Sequence, residues 1–174
     1  LVRAQFQTRE FEDRFIQIGL GYRIVGGFRF YERAEIRDAL AYLRITASPQ
    51  DDLAFERIYN TPKRGLGDKT LEKLHRHARA RGVPLSLAAV EILDTDELRA
   101  RGTLAALMRD FARWRDAART LVPAELARTI LDESGYTAAL QAEKSTEAAG
   151  RLENLSELAR AMEEYETLGD FLEH

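Results

Sequence analysis

The sequence predicts a mostly α-helical protein, in which a multi-helix unit follows a short strand–helix–strand segment. First, apolar residues recur at steps of three and four along most of the 174 residues, the spacing of helices with one buried face. Second, β-favouring stretches are few and lie near the N-terminus, at Leu1–Arg3 and Tyr22–Val25. Third, Gly26 and Gly27 close the second stretch. We therefore expect a change of subdomain near Gly26, with an all-α unit after it.

The predicted helices follow from the apolar spacing and from start and stop signals. A first helix is expected at 8–18, between the two strands. The next runs from Glu32 to Ala47 and ends before Ser48-Pro49, because a residue that precedes proline disfavours the helical conformation. The other short helices are expected at 51–59, 68–80, 84–93, 123–133 and 147–166.

One long helix is predicted from Leu104 to Val122. Its apolar stripe includes Phe111 and Trp114, and Pro123 ends it. The stretch 143–150 combines alanines with hydroxyl side chains and a glycine, and it is predicted to be a mobile loop.

The composition excludes several classes of protein. Without cysteine, the chain has no disulfide scaffold, thiolate metal site or cysteine nucleophile. Apolar runs are only a few residues long, so no membrane span is expected, and no charged-then-apolar leader precedes them. We expect a cytoplasmic location. Because the chain opens within an apolar run, we also expect it to be part of a longer protein.

The formal net charge of −3 hides a strong asymmetry. Residues 63–81 carry seven cations and two acids, a net charge of +5, whereas residues 143–174 carry nine acids and three cations, a net charge of −6. The first stretch would attract a polyanion and the second would repel it. The alternative interpretation of 63–81 is a solvated helix face rich in arginine.

The residues of this chain support neither nucleotide binding nor catalysis. Gly65–Thr70 resembles a phosphate-binding loop, but Asp68 occupies the place where such a loop needs a glycine before its lysine. His75 and His77 lie two residues apart on a helix and point away from each other, and His174 adds no ligand geometry. We predict no catalytic residue, no metal and no cofactor site within this chain.

The segment Thr61–Thr70 carries the clearest sign of a binding function. Pro62 ends the preceding helix, two glycines flank Leu66, and Asp68 can cap the next helix. Leu66 is expected to anchor the turn in the core, while exposed amides and the helix N-terminus accept an anion. The side chains predicted to surround one phosphate are those of Lys63, Arg64, Lys69 and Thr70. This is a helix–hairpin–helix way of binding a nucleic-acid backbone without reading its sequence. The alternative is a plain glycine-rich turn between helices.

A second segment, Tyr22–Arg33, interleaves aromatic residues with three arginines. Such a mixture suits stacking and backbone contacts with single-stranded nucleic acid. The alternative is hinge packing, with Phe28, Phe30 and Tyr31 buried and Arg33 paired with a neighbouring glutamate.

Five segments resemble UvrD/PcrA/Rep-type superfamily 1 DNA helicases, in the order that the family has them. Tyr22–Arg44 resembles the signature region of these helicases. Asn60–Thr70 is similar to the glycine–aliphatic–glycine segment of their mobile 2B subdomain, and Leu1–Arg9 to a strand and turn of their 2A subdomain. Asp132–Tyr136 and Arg151–Leu158 also match. The resemblance covers nearly the whole chain.

The resemblance implies an ATP-driven 3′-to-5′ DNA helicase of repair and replication. Residues 1–28 would be a remnant of the α/β 2A motor subdomain, and 29–174 the all-α 2B subdomain, which swivels and contacts the duplex ahead of the fork. The expected partners are DNA at a duplex–single-strand junction, the other helicase subdomains and repair proteins, with no membrane. ATP and Mg²⁺ would bind to other segments of the protein, because this chain lacks the family's Walker loop, acidic motif and ATP-sensing arginines.

The resemblance also assigns contacts to single residues. Those that match duplex-backbone contacts are Arg64, Gly65, Leu66, Gly67, Lys69 and Thr70, beside Lys63 from the charge argument. Those that match contacts with the tracking single strand are Arg3, Gln5 and Arg29. A different class of function also stays open: residues 143–174 could dock a protein partner or the motor itself, as an interaction or autoinhibitory module.

Overall fold

A computed structural model describes residues 28–95 and 98–173 of the chain. Within these ranges the secondary structure is helical and no strand is present, which confirms the mostly-α prediction there. The helices are α1 Phe28–Tyr31, α2 Ala34–Ala47, α3 Asp52–Ile58, α4 Asp68–Arg81, α5 Leu85–Ile92, α6 Arg101–Ala117, α7 Pro123–Glu133, α8 Tyr136–Glu143, α9 Thr146–Met162 and α10 Leu168–Glu173. The two predicted strands and the predicted helix at 8–18 lie outside the described residues.

The chain divides into two compact units between Arg33 and Ala34. The described part of the first unit is α1 and the two residues after it. There the Arg33 guanidinium lies over the ring of Phe30, 5.7 Å from its centroid, and the Arg33 amide donates to the Phe30 carbonyl at 3.3 Å. The second unit holds α2 to α10.

The central element of the second unit is α2, which packs against α3, α6, α7, α9 and α10. It begins two residues later than predicted and ends at Ala47, as predicted. Its buried side chains follow the helical period at Ile36, Ala39 and Leu43, and Tyr42 lies between them without exposure to solvent. A helix buried by several neighbours becomes the support on which the others are placed.

Aromatic rings fill the centre of this unit. Trp114 on α6 is fully buried and meets Tyr42 edge-on at 5.9 Å and Phe111 at 5.7 Å between ring centroids. Phe55 on α3 extends the cluster to Phe111, with 6.3 Å between centroids. Edge-to-face pairs of this kind each contribute about 0.5–1.5 kcal/mol beyond the area that they bury. The cluster therefore joins α2, α3 and α6 into one core.

A buried polar contact joins α2 to α9. The Asn154 side-chain amide donates to a Glu35 carboxylate oxygen at 2.6 Å, and both residues are about 6% exposed. Because a buried carboxylate without a donor is costly, this contact disfavours any other register of α9 on α2.

The predicted long helix ends early. It stops at Ala117 and not at Val122, and the chain turns through Thr120 and Leu121 before Pro123 opens α7. The apolar spacing runs past the true end because Leu121 is half-buried in the turn.

The predicted loop at 143–150 is wrong. Helix α8 reaches Glu143, and α9 begins at Thr146, so only two residues separate them. Lys144 takes a left-handed conformation with φ 46°, and the Ser145 hydroxyl accepts the Ala148 amide at 3.0 Å as the N-cap of α9. The residue types that end one helix and begin the next are also typical of loops, so two helices separated by two residues look like a loop in the sequence. Helices α1, α8 and α10 were not predicted.

Glu133, near the end of α7, makes a contact that predicts a pH dependence. Its carboxylate accepts from Arg113 at 2.7 Å and from the buried Trp114 indole at 2.6 Å. These two hydrogen bonds, that of Arg113 foremost, hold the pKa of Glu133 below its usual value. A lowered pKa stabilises the fold above the unfolded-state value, and this contribution is lost as the pH falls through the folded-state value.

We expect Glu133→Gln to have a lower free energy of unfolding than the wild type at neutral pH. The difference between the two free energies should become smaller as the pH is lowered. Urea titrations at a series of pH values measure this. Exposed Glu164, replaced by glutamine, is the control. A gap between wild type and Glu133→Gln that stays constant down to strongly acidic pH would contradict the expectation.

Candidate nucleic-acid interface

The connection between α3 and α4, residues 60–67, is called the hairpin below. Its two glycines have different backbone conformations. Gly65 has φ +78°, in the left-handed region that favours glycine, whereas Gly67 is extended with φ −83° and ψ 176°. The Gly67 carbonyl accepts the amides of Thr70 and Leu71 at 3.0 and 3.3 Å, which makes Gly67 the N-cap of α4. The prediction that Asp68 caps this helix is therefore wrong by one residue, since Asp68 is already its first residue.

Leu66 is fully buried, while the glycines on both sides of it are exposed. This confirms the predicted anchor. Burial of a leucine side chain stabilises by about 1.5–3 kcal/mol, which contributes to holding the turn against the core. The alternation of exposed, buried and exposed residues presents the glycine backbone on the surface.

Asn60 organises the backbone of the hairpin. Its side-chain oxygen accepts the amides of Arg64 at 2.7 Å and Leu66 at 3.2 Å. From the other side, the Tyr59 hydroxyl donates to the Gly67 carbonyl at 2.6 Å. Sequence reasoning missed both residues, although an asparagine just before a glycine turn is a known signal for side-chain to backbone bonds.

Four backbone amides of this region remain available to a ligand. The amides of Gly65, Gly67, Asp68 and Lys69 have no hydrogen-bond partner among the described residues. Two of them belong to the first turn of α4, where unpaired N–H groups and the helix dipole favour an anion. No side chain lies within 4 Å of where a Cβ would stand on either glycine, so the backbone can be approached closely.

The charged side chains of the hairpin differ in their surroundings. Lys63 and Lys69 are exposed, and Thr70 is half-buried beside them in sequence. Arg64 is half-buried, and its guanidinium donates to carbonyl groups inside the fold, among them that of Ile58 at 2.9 Å and that of Ser134 at 3.2 Å. The exposed cations next to the free amides are therefore the two lysines.

The basic helix α4 continues from the hairpin. Lys69, Lys73 and Arg76 follow the spacing of a single helix face, and Arg76 is exposed. His75 pairs with Glu56 of α3 at 3.0 Å, and His77 with Glu91 of α5 at 2.7 Å. The two histidines thus contact different helices, as their predicted orientation requires.

Of the three residues predicted to contact single-stranded DNA, the structure describes one. Arg29 is exposed on α1. Arg3 and Gln5 lie outside the described residues.

Other kinds of site were sought along the same residues. No group of three or more histidine, aspartate or glutamate side chains suited to a metal ion occurs in 28–95 and 98–173. None of the helices there combines the length and hydropathy that a membrane span requires.

Comparison with known proteins identifies the family. The model of the UvrD-like helicase C-terminal domain matches residues 1–171. DNA helicase II of Rickettsia typhi is 46% identical over 176 residues, which cover 100% of this chain and 27% of that protein. DNA helicase II of Escherichia coli K12 is 39% identical, and the ATP-dependent DNA helicase PcrA of Bacillus subtilis 168 is 37% identical. In both cases 170 residues align, which cover 95% of this chain and 23% of the relative.

The chain thus spans about a quarter of the length of these relatives. The match extends over nearly all of it, including α2, the hairpin and α9. This chain belongs to the UvrD-like helicase C-terminal domain family.

Proposed function

We propose that this chain is the duplex-binding 2B subdomain, with a small part of 2A at residues 1–28, of an ATP-dependent 3′-to-5′ DNA helicase of repair and replication. The observation that carries the proposal is the hairpin: free amides at two exposed glycines, with a buried leucine between them. The names of the relatives, DNA helicase II and ATP-dependent DNA helicase PcrA, agree in substrate. Because these relatives are DNA helicases of bacteria, whose DNA lies in the cytoplasm, the proposal also places this protein in the cytoplasm.

In this proposal the hairpin binds one strand of the duplex through its phosphates. The amides of Gly65, Gly67 and the first turn of α4 donate to a phosphate oxygen, while the ammonium groups of Lys63 and Lys69 lie beside it. The side chain of Thr70, which is hydrogen-bonded to that of Tyr59, would lie at the edge of this site, and Leu66 holds the loop in place without touching DNA itself. Because every base pair carries the same phosphates, binding is independent of sequence.

The lysines and the amides have different roles. Amides act only at contact distance, so they set where a phosphate can sit. Lysine charges act over about 10 Å at 0.1 M salt, so they attract the duplex before contact. The face of α4 that contains Lys69 and Arg76 would extend the attraction away from the hairpin.

Unwinding itself would belong to the whole protein. Asp68 stands where a nucleotide-binding loop needs a glycine before its lysine, and a helix, not a strand, precedes the loop, so the residues here do not fit ATP with Mg²⁺. We propose that ATP is bound by other segments and that this subdomain swivels against them. Arg3, Gln5 and Arg29 would then contact the single strand. The chain alone should bind DNA and leave ATP intact.

A titration against salt tests the proposal. The chain is mixed with a fluorescent duplex–single-strand junction, and anisotropy gives the affinity at several salt concentrations. Backbone binding predicts that log K falls linearly with log salt, by about 0.9 for each phosphate neutralised. An affinity too weak to measure at low salt would overturn the proposal. It would favour the interaction module at residues 143–174, whose docking through apolar helix faces should not depend steeply on salt.

Gly67→Val tests the hairpin directly. The extended backbone of Gly67 accepts a β-branched residue, and a Cβ there would meet no atom within 4 Å, so the chain should still fold. Because valine is a poorer N-cap than glycine, the free energy of unfolding should fall by about 0.5–1 kcal/mol. The same side chain would stand where a phosphate must approach, and we expect the affinity for duplex DNA to fall about tenfold, which is 1.4 kcal/mol. Gly65 is a poorer test, because its φ of +78° makes any side chain strained.

The matched control is Gly102→Val, since Gly102 is also exposed with open space around its Cβ, but lies on α6. It should leave DNA binding as in the wild type. Equal affinity of the folded Gly67→Val chain and the wild type would remove the hairpin from the interface.

A further inference from the structure

We infer that Arg64 is a positioning residue: its guanidinium fixes the hairpin from inside the fold and does not bind a phosphate. The DNA-binding part of this inference rests on the proposed function. The position of the guanidinium rests on contacts within the chain alone.

The guanidinium lies at the C-terminal ends of two helices. One nitrogen donates to the carbonyl of Ile58, the last residue of α3, at 2.9 Å, and the other donates to the carbonyl of Ser134, the C-cap of α7, at 3.2 Å. Carbonyls at helix C-termini lack intrahelical partners and form the negative end of the helix dipole. A cation that donates to two such ends is stabilised there, and both of its terminal nitrogens already have hydrogen-bond partners within the fold.

The same group also binds the base of the hairpin to α2. Arg64 donates to the hydroxyl of Tyr42, whose ring lies 5.8 Å below the guanidinium carbon. That hydroxyl in turn donates to the carbonyl of Thr61 at 2.5 Å, and a longer contact of 3.4 Å joins Arg64 to the carbonyl of Pro62. Since Tyr42 is fully buried in the aromatic core, the hairpin is joined to the core of the unit.

The turn between α7 and α8 has a matching role. Ser134 supplies the carbonyl, and two residues later the Tyr136 hydroxyl donates to Asp38 at 2.7 Å. Asp38 also pairs with Arg57 of α3 at 2.8 Å. Asp38 therefore contacts both the residue that follows this turn and the helix that precedes the hairpin. The segment Asp132–Tyr136 lies outside the proposed DNA-binding surface, and in this inference its role is to support the hairpin.

Lysine could not replace arginine in this role. The planar guanidinium reaches acceptors in α2, α3, the hairpin and α7 with fixed directions, whereas an ammonium is a single point with three donors. If Arg64 bound a phosphate instead, lysine could replace it in part, because an ammonium group also neutralises a phosphate.

Arg64→Lys and Arg64→Met distinguish the two roles, with Lys63→Met as the matched control at the neighbouring exposed cation. We expect both Arg64 variants to bind the junction about tenfold more weakly at every salt concentration, with an unchanged slope of log K against log salt. Lys63→Met should instead reduce the slope by about 0.9. The inference is overturned if Arg64→Lys binds like the wild type while Arg64→Met loses about 0.9 of slope.

A second readout needs no DNA. Amide ¹H–¹⁵N spectra of the free chain report the hairpin through the resonances of Gly65 and Gly67. Arg64→Lys and the milder Tyr42→Phe, which keeps the buried ring and removes only the hydroxyl, should both shift these resonances. Lys63→Met should leave the Gly67 resonance in place.

Unchanged glycine resonances in folded Tyr42→Phe and Arg64→Lys would overturn the inference. This readout stays valid if Arg64→Met does not fold. A wild-type chain that fails to bind DNA would overturn the proposed function alone, because shifted glycine resonances would still support the position of Arg64.

Discussion

Replacing Leu66 with alanine will lower the free energy of unfolding by about 2–5 kcal/mol, the range for a leucine removed from a packed core. Leu66 has no exposure to solvent, although it stands between two exposed glycines in a connecting loop. The loss would be a large fraction of the total stability of a typical domain, which is about 5–15 kcal/mol. Chemical denaturation followed by circular dichroism measures it.

Leu53→Ala provides the control. Leu53 is 81% exposed on α3, so the same change of side chain should alter stability by no more than about 0.5 kcal/mol. If the two variants unfold at the same denaturant concentration, Leu66 does not anchor the hairpin, and the surface proposed for DNA would lack a rigid support.

Replacing both Lys63 and Lys69 with glutamine will reduce the salt dependence of DNA binding. Each exposed lysine that neutralises one phosphate contributes about 0.9 to the slope of log K against log salt, so the double variant should lose about 1.8. The loss should be equal for unrelated duplex sequences, since phosphates carry no sequence information. Anisotropy titrations with two duplexes of different sequence measure both quantities.

Arg160→Gln is the control, because it also removes one exposed positive charge, but from α9 within the acidic stretch 143–174. It should leave the slope as it is. A double lysine variant that keeps the wild-type slope, or that changes affinity for one duplex sequence only, would contradict backbone binding at the hairpin.

Much of the helical architecture was predictable because its signals are local. The end of α2 before Ser48-Pro49, the start of α7 at Pro123 and the bounds of α4 follow from proline, glycine and apolar spacing. The errors occur where local signals conflict. The apolar spacing continues past the end of α6, and the Lys144-Ser145 junction compresses a helix end and a helix start into two residues.

The candidate interface was predictable to a similar depth. The buried Leu66 and the tight turn at the glycines follow from residue type and spacing, because each depends on the neighbours in the chain. Asn60 was missed, although its contacts reach only four and six residues along the sequence. The role of Arg64 was beyond any local signal.

By itself the sequence determined that a sharp, glycine-flanked turn opens a basic helix within a mostly helical unit. Only the tertiary structure decided which cations that turn presents to solvent. Lys63 and Arg64 are neighbours with the same charge, yet one is exposed and the other donates to a carbonyl 70 residues away. The physical reason is that a guanidinium is stabilised where two helix C-termini meet, and the meeting of α3 and α7 exists only once the chain has folded.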